Sequence, residues 1–322
     1  MNKVVWSVVA ALAVSAAPAF AADMPVKAAK VPAAASSPWD VAFGSALMSD
    51  YVFRGVTQSG HRPSVAAYVE PRYNINPNLQ LYAGVSGESI KFANDAAAEV
   101  DFYGGIRPTF GPLALDFGIW EYYYPGGTCF GGFAGGVGVP CPAVLANGNA
   151  AKSVASFYEL YGKATYTLGD FAFGPTFYYS PNFLNTGAEG EYLSGIVKYT
   201  APASMALAKD IGWYVSGEFG RQWLGTSDAF YNVAAFPNGI KYADYNTWNI
   251  GVGFTYKVFT LDLRYSDTDL SKGNCNAFTS DPTAPGAGPD ITPINPAGGG
   301  SSWCGATFIA KLSIDMTLAS LK

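Results

Sequence analysis

The sequence predicts an all-β fold, a transmembrane antiparallel up-and-down β-barrel of about twelve strands with long extracellular loops and short periplasmic turns. Three observations lead there. Charged residues make up only 13% of the chain, against about 25% in ordinary soluble domains, while aromatics reach 15% and glycines number 37. After the N-terminal run, no stretch approaches the roughly 20 apolar residues a helical span requires, so strands must do any crossing. Finally, apolar and polar residues alternate with period two in segment after segment.

The first residues, Met-Asn-Lys followed by the apolar run "VVWSVVAALAV" and then Ala19-Phe20-Ala21, have the layout of a secretory signal peptide over 1–21. The run is too short for a membrane anchor. Without Lys3, 18 basic residues face 24 acidic ones, a net charge of about −6 that disfavours nucleic acid as a partner. Residues 22–38, "ADMPVKAAKVPAAASSP", have no apolar period and read as a flexible periplasmic tail. The barrel is expected over 39–322.

Strands are expected near 39–54, 63–74, 78–88, 98–108, 113–124, 154–168, 170–181, 189–200, 210–223, 244–257, 258–269 and 303–318. In the third, Leu79, Leu81, Ala83 and Val85 oppose Gln80, Tyr82, Gly84 and Ser86. The ninth sets Ile211, Trp213, Val215, Gly217 and Phe219 against Asp210, Tyr214, Ser216 and Glu218, with Arg221 breaking the pattern near a strand end where its head can snorkel. The tenth alternates without exception: Trp248, Ile250, Val252, Phe254 and Tyr256 on one face, Thr247, Asn249, Gly251, Gly253, Thr255 and Lys257 on the other. In the eleventh, Phe259, Leu261, Leu263 and Tyr265 oppose Thr260, Asp262, Arg264 and Ser266. The last opposes Phe308, Ala310, Leu312, Ile314, Met316 and Leu318 to Thr307, Lys311, Ser313, Asp315 and Thr317, with Ile309 as the one misfit.

Connection lengths sort in the same way. If the first strand runs outward, the inner-rim joins are mostly short ("INPN", "FGP", "GD"), and the three longest connections, near 125–153, 224–243 and 270–302, all lie on the outer rim. Aromatics also gather toward strand ends: Tyr73, Tyr166, Tyr199 and Tyr256 at one rim, Tyr122, Tyr123, Tyr124, Tyr179 and Trp223 at the other, in the manner of interfacial girdles.

The polar faces carry Asp50, Arg54, Glu70, Arg72, Asp101, Arg107, Asp116, Glu159, Lys163, Lys198, Glu218, Lys257, Asp262, Arg264, Lys311 and Asp315. An Arg or Lys turned to lipid at mid-depth costs about 2–4 kcal/mol, so these residues are expected to line the lumen. In "SDYVFRGVTQS", residues 49–59, Asp50 and Arg54 should then point inward and Tyr51 and Phe53 toward lipid.

That stretch also resembles the opening signature of the TorF-family porins, known too as the Gcw_chp family, through Ser49-Asp50-Tyr51, Phe53-Arg54-Gly55 and the polar Thr57-Gln58-Ser59. The resemblance implies an outer-membrane channel over residues 39–318. The chain departs from the family's pattern in its Cys-bearing loops and in ending on "LASLK" where a terminal aromatic is usual.

The expected role is a bacterial outer-membrane porin: passive diffusion of small hydrophilic solutes or ions through a charged lumen, with outer-membrane lipid around it. The lumen charges could instead pair and plug a narrow, non-conducting barrel that serves as a structural or surface-binding element. A third reading is an outer-membrane hydrolase built on His61, the single histidine, with Ser59 or Ser64 nearby; the sequence offers no orienting carboxylate for it. Four cysteines in an exported chain favour disulfides, and Cys129–Cys141 with Cys275–Cys304 closes each bridge within its own loop. Neither their spacing nor the histidine count suits a metal site, and the Gly-rich loop lacks the Gly-Lys-Ser/Thr of a phosphate loop. No cofactor is expected.

Overall fold

The computed structural model describes residues 38–131, 141–232, 236–292 and 294–321. The expected signal peptide and nearly all of the 22–38 tail lie outside the described residues. Twelve strands form one closed antiparallel barrel. They are β1 (Trp39–Met48), β2 (Ser64–Asn76), β3 (Leu79–Glu88), β4 (Glu99–Phe110), β5 (Leu113–Tyr123), β6 (Phe157–Leu168), β7 (Phe171–Ser180), β8 (Gly190–Thr200), β9 (Ile211–Leu224), β10 (Tyr245–Tyr256), β11 (Phe259–Thr268) and β12 (Thr307–Thr317). Each pairs with its sequence neighbours, and β1 pairs with β12 from Ala42↔Thr317 to Met48↔Lys311, so the wall has no free edge. Among the described residues no helix is long and apolar enough to cross a membrane.

Alternation sets the two faces. On β11, Thr260, Asp262, Arg264, Ser266 and Thr268 are buried while Phe259, Leu261 and Leu263 are exposed. On β2, Ser64, Ala66, Tyr68, Glu70 and Arg72 point in, and Val65, Ala67, Val69 and Pro71 point out. The outer face is thus a continuous apolar belt, a surface suited to acyl chains and far larger than the patches soluble monomers expose. At the turn rim, aromatic contacts run around the barrel: Trp39 with Tyr73, Tyr166 with Phe173, Phe171 with Tyr199, and Tyr199 with Trp213.

Inside the wall, tyrosine rings lie flat on glycines directly opposite them on the next strand. Tyr103 covers Gly84 and Tyr214 covers Gly253, so closely that a Cβ at either glycine would overlap the ring. Tyr103 stacks in turn on Trp120 of β5, centroids 3.9 Å apart. The lumen is therefore packed with side chains at close-packed contact distances.

Three features depart from the sequence reading. The first strand ends at Met48, not near 54, and Tyr51 and Phe53 do not face lipid: Tyr51 is buried inside, and Phe53 packs edge-on against Tyr122. Tyr122 and Tyr124, placed above in the outer girdle, are also buried within the barrel, whereas Tyr123 is exposed. Lys257 sits not on the wall but in the turn between β10 and β11, exposed, with φ +52°, and its Nζ lies over the Tyr256 ring. Arg221 does face outward at the long-loop rim, and there it bonds Asn246 and pairs with Asp244 at 3.8 Å.

The long loops fold together over the outer mouth. The loop after β5 holds the Cys129–Cys141 disulfide, and the loop after β11 holds a helix, α1 (Lys272–Thr279), and the Cys275–Cys304 disulfide. Asn147 donates to the Asp281 and Ala284 carbonyls, and Asn149 to Asn276, tying the two loops to each other. Phe278 of α1 contacts Phe183, Tyr242 and Tyr245 from three other connections or strands.

Candidate functional site

Residues 49–63 do not extend the wall. They turn into the lumen as a hairpin in which Val52 pairs with Thr57 and Phe53 with Val56. Between them Arg54 (φ +48°) and Gly55 (φ +77°) make the two-residue turn with both central φ values positive that tight hairpins favour. Glycine adopts this without strain; arginine tolerates it because its side chain is held at both ends of its reach.

At the hairpin tip, Arg54 makes two parallel bonds of 2.8 Å to the Glu159 carboxylate of β6 and a third, 3.0 Å, to Gln222 of β9. Tyr122 donates to the same carboxylate at 3.1 Å. The guanidinium also lies 4.3–4.9 Å from the rings of Tyr192, Phe53 and Tyr178. The side chains of Arg54 and Glu159 are 5% and 0% exposed, so this is a fully desolvated, bidentate pair bridging a loop to the far wall.

At the hairpin base, the Asp50 carboxylate accepts from Thr57 Oγ1 (2.5 Å), Ser59 Oγ (3.0 Å) and His61 Nδ1 (2.7 Å). His61 Nε2 reaches the Ser302 carbonyl at 2.8 Å. A carboxylate on one nitrogen and a carbonyl on the other require an imidazolium donating twice. The bond to Asp50 raises the His61 pKa against the opposing effect of burial. Burial pushes Asp50 upward, but the hydrogen bonds from His61, Thr57 and Ser59 outweigh it and hold Asp50 below the usual carboxylate range. His61 thus has a carboxylate partner that sequence alone did not reveal. Ser59 donates to Asp50 and to the Arg62 carbonyl, however, and neither imidazole nitrogen is left to act as a base.

The sign of the pH dependence follows. His61 contributes to hairpin anchoring below its unfolded pKa of about 6.5, and the contribution is lost as pH rises through its raised folded value. Asp50 contributes above about 3.9, and its share is lost as pH falls through its lowered value. Protection of the 57–61 amides, taken as the ratio of intrinsic to observed exchange rate at each pH, is therefore expected to be greatest between those limits and to fall in mildly alkaline buffer. A His61 that titrates at or below about 6.5 in an NMR titration contradicts this.

Two further networks fill the remaining lumen. Glu70 accepts from Arg72 (2.5 Å) and from Arg107 (2.8 and 3.2 Å), and Arg107 continues to Asp116 (3.1 Å), which Tyr82 also bonds. Across the barrel Arg264 bonds Asp262 (3.1 Å), Asn249 (2.5 Å) and Ser216 (2.9 Å), and Tyr214 closes on Asp262 at 2.6 Å. Lys163 lies over the Tyr161 and Tyr178 rings, Lys198 over Tyr214, Glu218 accepts from Tyr192 and Asn249, and Asp315 accepts from Tyr68 and Ser313. Asp101 and Lys311 are buried on β4 and β12. Of the sixteen charged residues expected in the lumen, Asp50 and Arg54 reach it on the hairpin, Lys257 does not, and the others stand on wall strands. The inward Ile309, the misfit of β12, packs with Tyr51, Val52 and Met48, so an apolar residue stands where the hairpin rests.

The family model described as "Bacterial protein of unknown function (Gcw_chp)" matches residues 32–138. No curated protein matches the chain in sequence. Among solved structures it is similar to an outer-membrane channel from Pseudomonas putida F1 (9% identity, TM-score 0.44, covering 88% of this chain and 97% of that one). It is also similar to the NanC porin (10%, 0.38, 87% and 98%) and to LpxR from Salmonella typhimurium (8%, 0.37, 86% and 99%). The match to the Gcw_chp family model thus falls on the inserted hairpin and the first five strands of a closed twelve-stranded β-barrel.

Proposed function

We propose that the barrel is a channel for small hydrophilic solutes or ions whose lumen is held shut by the 49–63 hairpin. One observation carries this reading: the material that completes the packing of the lumen is a loop, not the wall. A barrel of about eight strands is just filled by its own side chains; a twelve-stranded wall encloses more, and here the extra room is taken by a segment held to the far wall through side chains and to the 303–305 segment by a backbone bridge between Val56 and Cys304. Such a segment can withdraw while every wall hydrogen bond stays in place. What it would uncover is polar and charged, with Glu159, Gln222, Tyr122 and Tyr192 facing a shared space. Buried ion pairs are a poor way to stabilise a plug, since apolar residues of equal volume do so as well or better, and this favours a charged pathway over an inert filling.

Planar-bilayer recording tests the proposal. Wild-type protein is expected to give rare, small unitary steps, and a variant with residues 52–57 replaced by a short Gly-Ser link is expected to give frequent steps of several-fold larger conductance. If the link variant, shown to be folded by its heat-modifiable migration, produces no steps, the barrel is a structural or surface-binding element and the proposal fails.

A further inference from the structure

Three carboxylates meet beneath the hairpin at the outer end of β3 and β4. Glu88 ends β3, Glu99 begins β4, and the two stand directly opposite across the same rung; Asp101 follows, opposite Ser86. All three are 1–3% exposed, and one oxygen from each lies within 4.8 Å of the others. Like charges directly opposed across a ladder are destabilising. Elsewhere in the lumen Glu70, Asp116, Glu159 and Asp262 each pair with an arginine. Here the groups that meet Glu88 are two more carboxylates, Glu99 and Asp101.

The second observation is the state of the oxygens. Glu99 accepts from Tyr51 of the hairpin at 2.5 Å and Asp101 Oδ2 from Ser86 at 3.1 Å; the Ser86 hydroxyl also lies beside Glu88 and the Trp120 indole beside Asp101, but no well-aligned hydrogen bond reaches either oxygen of Glu88 or Oδ1 of Asp101. Buried carboxylates with so few well-aligned donors carry a desolvation cost that a positive group would offset. Hard oxygen donors without nitrogen or sulfur select a hard cation. Calcium sits 2.3–2.6 Å from its ligands, so two oxygens on one ion stand at most about 5 Å apart, a span that matches the cluster. Magnesium needs a tighter octahedron and keeps its waters.

We propose that Glu88, Glu99 and Asp101 form a calcium site that fastens the hairpin to the wall through the Tyr51–Glu99 bond. The site stands independently of whether the barrel conducts.

The test uses full-length protein refolded in detergent micelles and freed of metal. Terbium(III) serves as the calcium-like probe, sensitised by the indole of Trp120, which lies beside Asp101. Saturable luminescence that calcium displaces is expected, together with a higher urea midpoint in calcium than in chelator. Glu88→Gln and Asp101→Asn should each weaken binding at least about tenfold, while Asp170→Asn, in an exposed turn at the opposite rim, should leave it unchanged. Luminescence that is absent, that calcium fails to displace, or that persists in both variants overturns the proposal and leaves shared protons as what neutralises the cluster. If Glu88→Gln does not fold, Asp101→Asn decides, and an unchanged wild-type urea midpoint overturns the proposal by itself.

Discussion

Replacing Arg54 by methionine is expected to destabilise the folded barrel by about 3–5 kcal/mol, the usual cost of leaving one member of a buried pair alone. Glu159 would remain at 0% exposure with the Tyr122 hydroxyl still donating to it but its bidentate cation gone, and Gln222 would lose the group that meets its carbonyl oxygen. A loss of that size is a large fraction of the roughly 5–15 kcal/mol that holds a typical domain together, so it should be plain in urea unfolding in micelles. The cause separates from lost packing in a double variant. Arg54→Met with Glu159→Gln removes both charges, and most of the lost stability should return, because the desolvated anion is what costs. If the double variant is no more stable than Arg54→Met alone, the ion pair is not what fastens the hairpin tip.

Leu263→Arg, in the middle of β11 and turned outward, is expected to cost about 2–4 kcal/mol in lipid vesicles. The residues on either side of it, Asp262 and Arg264, are charged and face the opposite way, 2% and 4% exposed, inside a network that includes Tyr214 and Ser216. One position along the strand therefore separates a site where arginine is satisfied by three partners from one where it meets acyl chains. Unfolding free energies measured for Leu263→Arg and for Leu263→Ala in the same vesicles give the charge-specific part. Equal values for the two would mean that this face does not contact hydrocarbon, and the assignment of inside and outside would fall.

The wall was legible from the sequence because period-two alternation is imposed by two different solvents, and β2, β10 and β11 obey it nearly residue by residue. Loop sorting added the orientation, and the two disulfides follow the loop-local pairing expected of them. What local pattern could not show is that strand propensity serves a hairpin inside the lumen as well as a strand in the wall. Val52, Phe53, Val56 and Thr57 do form strand, but around an Arg-Gly turn, and the run from 39 to 54 splits at Met48. Two signals were present: the Arg54-Gly55 pair between β-formers, a candidate tight turn, and Ile309, apolar on a polar face. The Asp50–His61 pair and the Glu88, Glu99 and Asp101 cluster were hidden because a fold-dependent chain path or strand register brings them together.

The flat seating of Tyr103 on Gly84 and of Tyr214 on Gly253 couples residues far apart in the chain. Neither member of such a couple can change its bulk alone: a methyl in place of the glycine hydrogen evicts the ring, and a smaller residue in place of the tyrosine opens a hole. Divergence in homologous proteins should accordingly proceed by joint replacement at 84 with 103 and at 214 with 253, and an alignment in which these positions drift independently would show that the ring-on-glycine contact is not what constrains them.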